Sequence, residues 1–97
     1  MSKIQTFRTE LNTLSSLTER ETEYLSLAAM GFKNKQIGYI LSVSKSTVKK
    51  TFENVFQKLY AKDRANAVAL GFIHGFLNVE ILNDINSKFK YQIKNIS

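Results

Sequence analysis

The sequence has no cysteine, no proline and no tryptophan, and only one histidine and four glycines among its 97 residues. Without cysteine there is no disulfide framework, no thiolate nucleophile and no cysteine-based zinc site. A lone histidine, His74, excludes histidine-rich metal clusters as well. No run approaches the roughly 18 apolar residues needed to span a bilayer. The most apolar window, residues 65–77, is interrupted by Asn66 and His74 and reads as a buried helix. The N-terminus has no continuous apolar core of a signal peptide, so a soluble, cytoplasmic protein is expected. Acidic residues are also scarce, with eight Asp and Glu against fourteen Lys and Arg, which leaves a net charge of +6 and hints at an acidic partner such as nucleic acid.

What is present is apolar residue at helical spacing. At 97 residues the chain is one small domain, whose stability must come from the 43% of its residues that are apolar, eleven aromatics among them. The β-branched residues do not alternate with polar ones as a strand requires, and the few glycines give little punctuation, so the fold class is all-α. Ile4, Phe7, Leu11 and Leu14 recur at spacings that suit a short amphipathic helix within an N-terminal extension over 1–16. Thr18 and Glu21 form a capping box that opens a first helix running to Met30, with Gly31 as its left-handed cap. Asn34 is the N-cap expected for a short second helix carrying Ile37, Ile40 and Leu41 on one side. After the turn Ser42-Val43-Ser44, a third helix capped by Ser44 places Val48, Phe52, Val55, Phe56 and Leu59 on one face. Ser46, Lys50, Glu53 and Gln57 fall opposite, with Lys49 on the flank. Asp63 caps a fourth helix through Ala65, Val68, Ala69 and Phe72, ended at Gly75. Leu82, Ile85, Phe89, Ile93 and Ile96 predict one further amphipathic helix over 78–97.

The positive charge has a location. Between Lys33 and Arg64 eight basic residues stand against Glu53 and Asp63, a surplus of six, while the rest of the chain sums to zero. A short helix, a tight turn and a longer helix inside this stretch fit a helix-turn-helix whose second helix enters the major groove. From charge alone, a solvated face on an ordinary helical bundle fits equally well.

The residues within the stretch carry a resemblance. Leu17-Thr18-Glu19-Arg20-Glu21, Asn34-Lys35-Gln36-Ile37-Gly38, Ser44-Lys45-Ser46-Thr47-Val48-Lys49, Lys58-Leu59 and Arg64-Ala65-Asn66-Ala67-Val68 match the order and spacing of the LuxR-type, or GerE-type, DNA-binding domain. The resemblance implies a four-helix helix-turn-helix domain over 17–77 in a bacterial transcription regulator, with the third helix reading DNA and the fourth making a dimer contact. The double-stranded DNA partner would be held by phosphate contacts from Lys35, Ser46, Thr47 and Arg64. Thr47 offers its hydroxyl beside the unpaired backbone donors of a helix start. Lys49 and Lys50 are the candidates for base readout, since lysine favours guanine O6 and N7. Glu53, outward on the same face, either accepts from cytosine N4 or repels phosphates. Lys58 and Lys62 read as solvated or weakly phosphate-steering.

Four positions depart from the family pattern. Thr51 stands where histidine is common, Glu53 where a small or basic residue is common, and Gly38 where alanine is usual, at roughly 1 kcal/mol of helix propensity. Tyr60 replaces a glycine after the third helix, and a bulky residue is costly at positive φ, so a different turn is expected. A homodimer through the fourth helix is implied, with RNA polymerase or a partner regulator as a further contact. The C-terminal stripe could extend that interface or cover its own core, the second being the ordinary role of an amphipathic helix. His74 is either a pH-sensitive interface residue or simply a partly exposed one. No paired carboxylates, Ser/His pair or glycine-rich phosphate loop supports an enzyme, and no cofactor or metal is expected. Departures at Thr51 and Glu53, with the added terminal helix, leave one other class open: a protein that keeps the fold but binds another regulator instead of DNA.

Overall fold

The computed structural model describes residues 16–96, and the helix expected around Ile4 to Leu14 lies outside them. Within the described residues there are six helices and no strand: α1 (Glu19–Ala29), α2 (Asn34–Leu41), α3 (Lys45–Leu59), α4 (Arg64–Ile73), α5 (Val79–Lys88) and α6 (Lys90–Lys94). None is long and apolar enough to cross a membrane.

Polar caps set most of the helix starts. Thr18 Oγ1 accepts from the Glu21 amide at 3.0 Å while Glu21 Oε1 accepts from the Thr18 amide at 2.8 Å, satisfying two donors that the start of α1 would otherwise leave open. Ser44 accepts from Thr47 at 3.1 Å, Asp63 from Asn66 at 2.8 Å, and Asn78 from Ile81 at 2.8 Å. The start of α2 differs from expectation. Lys33 is its N-cap, and Gln36 Oε1 accepts from the Lys33 amide at 2.8 Å. Asn34 is therefore the first helical residue, its side-chain oxygen engaged elsewhere by Arg64.

Left-handed residues close several helices. Gly31 (φ 94°) follows α1 and Gly75 (φ 80°) follows α4, where the missing Cβ removes the steric cost. Ser42 (φ 57°) ends α2 and Tyr60 (φ 54°) ends α3. Tyr60 thus takes the same left-handed cap a glycine would give, at a cost of roughly 1–2 kcal/mol for a side-chain-bearing residue. The altered turn expected there does not occur, because the Ala61 amide still closes onto the Phe56 carbonyl at 2.8 Å. Gly38 has a different justification: a Cβ on it would lie 2.8 Å from the Val43 carbonyl oxygen, so glycine lets the turn fold back onto α2.

Packing centres on α1, which touches α2, α3, α4 and α5. One buried cluster joins Tyr24, Leu27, Ile37, Ile40, Leu41, Val48 and Phe52 to Ile85 and Phe89 from the C-terminal segment. A second joins Leu25, Val55, Leu59, Ala67 and Leu77. The α3 stripe faces inward as its spacing indicates, with Phe56 only half-buried. The α4 stripe does not. Ala67 and Gly71 are buried while Ala65, Ala69 and Phe72 face out, since a helix that is apolar nearly all round has no period to orient it.

The single helix expected over 78–97 is two. Phe89 (φ −108°, ψ 25°) breaks it, inserting its ring into the first cluster and turning α6 back against α2. Its stripe covers the protein's own core, as Ile85 and Phe89 are 9% and 8% exposed whereas Tyr91 is 77% exposed. Phe89→Ala should therefore lower unfolding free energy by about 3 kcal/mol, and Tyr91→Ala should change it by less than about 0.5 kcal/mol, both measured by urea denaturation.

Candidate nucleic-acid interface

The outer face of α3 is polar and solvated. Ser46, Thr47, Lys49, Lys50, Glu53 and Gln57 are all exposed on it, and Lys35 is exposed near the start of α2. The helical spacing explains the common face, since residues three or four apart stack along one side. Asn54 and Lys45 are exposed there too. Neither belongs to the row that starts at Ser46, since Asn54 lies roughly 80° round the helix from it and Lys45 roughly 100° to the other side.

Hydroxyls gather where α3 begins. Ser44 Oγ lies 3.0 Å from Ser46 Oγ and 2.9 Å from Thr47 Oγ1, so the cap residue also orients its two neighbours. They sit at the positive end of the helix dipole, where backbone amides favour an anion. Val48 and Phe52, on the opposite side, are buried and anchor the helix to α1 and α2.

Two basic residues expected on the surface are turned inward. Arg64 donates from Nη1 to Asn34 Oδ1 at 2.7 Å and from Nη2 to the Phe32 carbonyl, with its guanidinium 4.6 Å from the Phe52 ring centroid. Burial lowers its pKa, but a guanidinium stays charged. The group assigned by resemblance to phosphate is occupied in fixing the start of α2 against α3 and α4. Lys58 likewise bonds Glu21 Oε1 at 2.8 Å instead of standing free in solvent. Sequence position could not reveal either, since both partners lie 30 or more residues away. The other six basic residues between 33 and 64 remain exposed: Lys33, Lys35, Lys45, Lys49, Lys50 and Lys62. Thr51 is half-buried beside this face, and Glu53 is its one exposed carboxylate on α3.

A helix-turn-helix bearing an exposed, lysine-rich second helix and a conforming sequence motif is thus in place. The family model for bacterial regulatory proteins of the luxR family, GerE, matches residues 15–70. The chain belongs to the luxR family. Among luxR-family relatives, the transcriptional regulatory protein DegU of Brevibacillus brevis is 39% identical over 66 residues, which cover 68% of this chain and 28% of that protein. The nitrate/nitrite response regulator protein NarP of Escherichia coli is 41% identical over 64 residues, covering 66% of this chain and 30% of NarP. The response regulator protein VraR of Staphylococcus aureus is 39% identical over 61 residues, covering 63% and 29%. The chain therefore spans less than a third of each of these relatives. No solved structure matches it.

The luxR-type helices are held by interactions with measurable consequences. Arg64→Lys keeps the charge but cannot fork to two acceptors, so it should cost about 1–3 kcal/mol in chemical denaturation. Glu21 gives a pH signature. Burial raises its pKa, but hydrogen bonds from Lys58 and Thr18 and the Lys58 charge pull it, on balance, below its ordinary value of 4.5. A depressed folded pKa stabilises the fold fully above pH 4.5, and the contribution is lost as pH falls through the lowered value. Glu21→Gln should accordingly be less stable than wild type at neutral pH, with the difference shrinking on acidification below that point.

Proposed function

We propose that the protein is a sequence-specific double-stranded DNA-binding transcription regulator that places α3 in the major groove. The observation that carries this reading is the exposed row of Lys49, Lys50, Glu53 and Gln57 on a helix whose apolar side is buried. Lys49 and Lys50 reach guanine edges, and Glu53 accepts from a cytosine amino group or selects against sequences that press a phosphate onto it. Ser46, Thr47 and Lys35 hold the flanking phosphates and set the register of the helix in the groove. Arg64 acts indirectly, by keeping α2 and α3 at a fixed angle. The names of DegU, NarP and VraR, as regulators, support the same reading.

Dimerisation completes it. Phe72 and Ile73 of α4 are 41% and 65% exposed, and Val79 just beyond is 71% exposed. Phe72 and Ile73 form, with Ala65 and Ala69, an outward apolar strip on α4 that a second copy covers, placing two α3 helices on half-sites about 10 bp apart. The C-terminal helices contribute to the core of their own subunit.

Duplex binding by the wild type and single variants tests the assignment. Lys49→Ala and Lys50→Ala should each weaken the preferred site by roughly 1–3 kcal/mol, with little change for unrelated sequences. Lys35→Ala should weaken all sequences alike and reduce the slope of log K against log salt by about 0.9. Unchanged affinity for every duplex in Lys35→Ala and Lys50→Ala would rule out the groove assignment and favour a protein partner.

A further inference from the structure

Tyr60 is placed where neither backbone nor core explains a tyrosine. Its φ of 54° and ψ of 37° lie in the left-handed region that suits glycine, and the residue is 78% exposed, so burial does not offset the strain. Ser42, the other non-glycine residue at positive φ among those described, is small and polar and closes a tight turn. A strained, exposed aromatic points to something outside the chain.

Its surroundings say what. Tyr60 lines an open hollow of about 510 Å³ with Phe56, Gln57, Ala61 and Lys62. Gln57 is the last residue of the outward row on α3, so the hollow continues that row past the end of the helix. From Ser46 to Gln57 the row rises about 16 Å at 1.5 Å per residue. The major groove is only about 12 Å wide, so a helix seated by its first turns with its axis inclined across the groove carries its last turn out to a bounding sugar-phosphate strand. A phenol hydroxyl donates well to a phosphate oxygen, and the neighbouring Lys62 ammonium, also exposed, supplies charge.

We propose that Tyr60 is a DNA-contacting residue, its hydroxyl bonding a backbone phosphate at the far edge of the groove with Lys62 beside it. The proposal rests on the groove reading above and adds a second anchoring point, at the opposite end of α3 from Ser46 and Thr47. Conformational strain at residue 60 is retained for binding.

Melting temperature and duplex affinity of the full chain, for wild type, Tyr60→Gly, Tyr60→Phe and Lys62→Ala, test it. Tyr60→Gly should melt roughly 4–8 °C higher yet bind at least about fivefold more weakly. Tyr60→Phe should show the same loss of affinity with no gain in melting temperature. Lys62→Ala should lower the salt slope by about 0.9. Wild-type affinity in Tyr60→Gly or Tyr60→Phe, an unaltered salt slope in Lys62→Ala, or no rise in melting temperature for Tyr60→Gly would each overturn the proposal while leaving the groove reading intact. Absence of duplex binding by the wild type itself would overturn both.

Discussion

The guanidinium of Arg64 joins three parts of the fold that a helix-turn-helix needs in fixed relation. It sits at the start of α4, lies over Phe52 of α3, and donates to Asn34 of α2 and to the Phe32 carbonyl in the loop before it. A half-buried cation is costly unless its donors are satisfied, and here the same bonds that satisfy it define the geometry. The aromatic face of Phe52 contributes to both tasks, as core on one side and cation partner on the other. With the start of α2 held in this way, the exposed lysines of α2 and α3 present one surface instead of two independent ones.

A second polar network acts at the other end of α2. The buried carboxylate of Glu23 is paired with Arg20 at 3.1 Å and with Lys88 of α5, and Arg20 also donates to the Leu41 carbonyl at 2.9 Å. The carboxylate holds the Lys88 pKa above its usual value, and that lysine stays exposed enough to remain solvated. Through two side chains the C-terminal segment thus reaches the last residue of α2, immediately before the helix-turn-helix turn. Ile85 and Phe89 add apolar closure over the same region. The terminal helices are accordingly packed into the same apolar core as α1, α2 and α3.

Much of this architecture was legible in the sequence because it is local. Capping at Thr18, Ser44 and Asp63, the left-handed glycines and the inward stripe of α3 depend on residues a few positions apart. The outward row of α3 followed from the same periodicity, which is why it could be named residue by residue. What escaped depends on partners far along the chain. Arg64 and Lys58 look like surface charges until α1 and α2 are brought against them, and the break at Phe89 accompanies its burial against residues of α1, α2 and α3. Orientation of α4 was also hidden, because alanine, leucine, valine and phenylalanine surround that helix. Asn34 was misassigned by a single residue, as Gln36 serves the Lys33 amide and frees the asparagine for Arg64.

Whether this face distinguishes one DNA sequence from another is decided by selecting bound duplexes from a random pool. A groove-reading dimer predicts enrichment of a two-fold symmetric motif with half-site centres about 10 bp apart. Recovery of a pool as random as the input, or retention of no duplex even at low salt, would exclude sequence reading by α3.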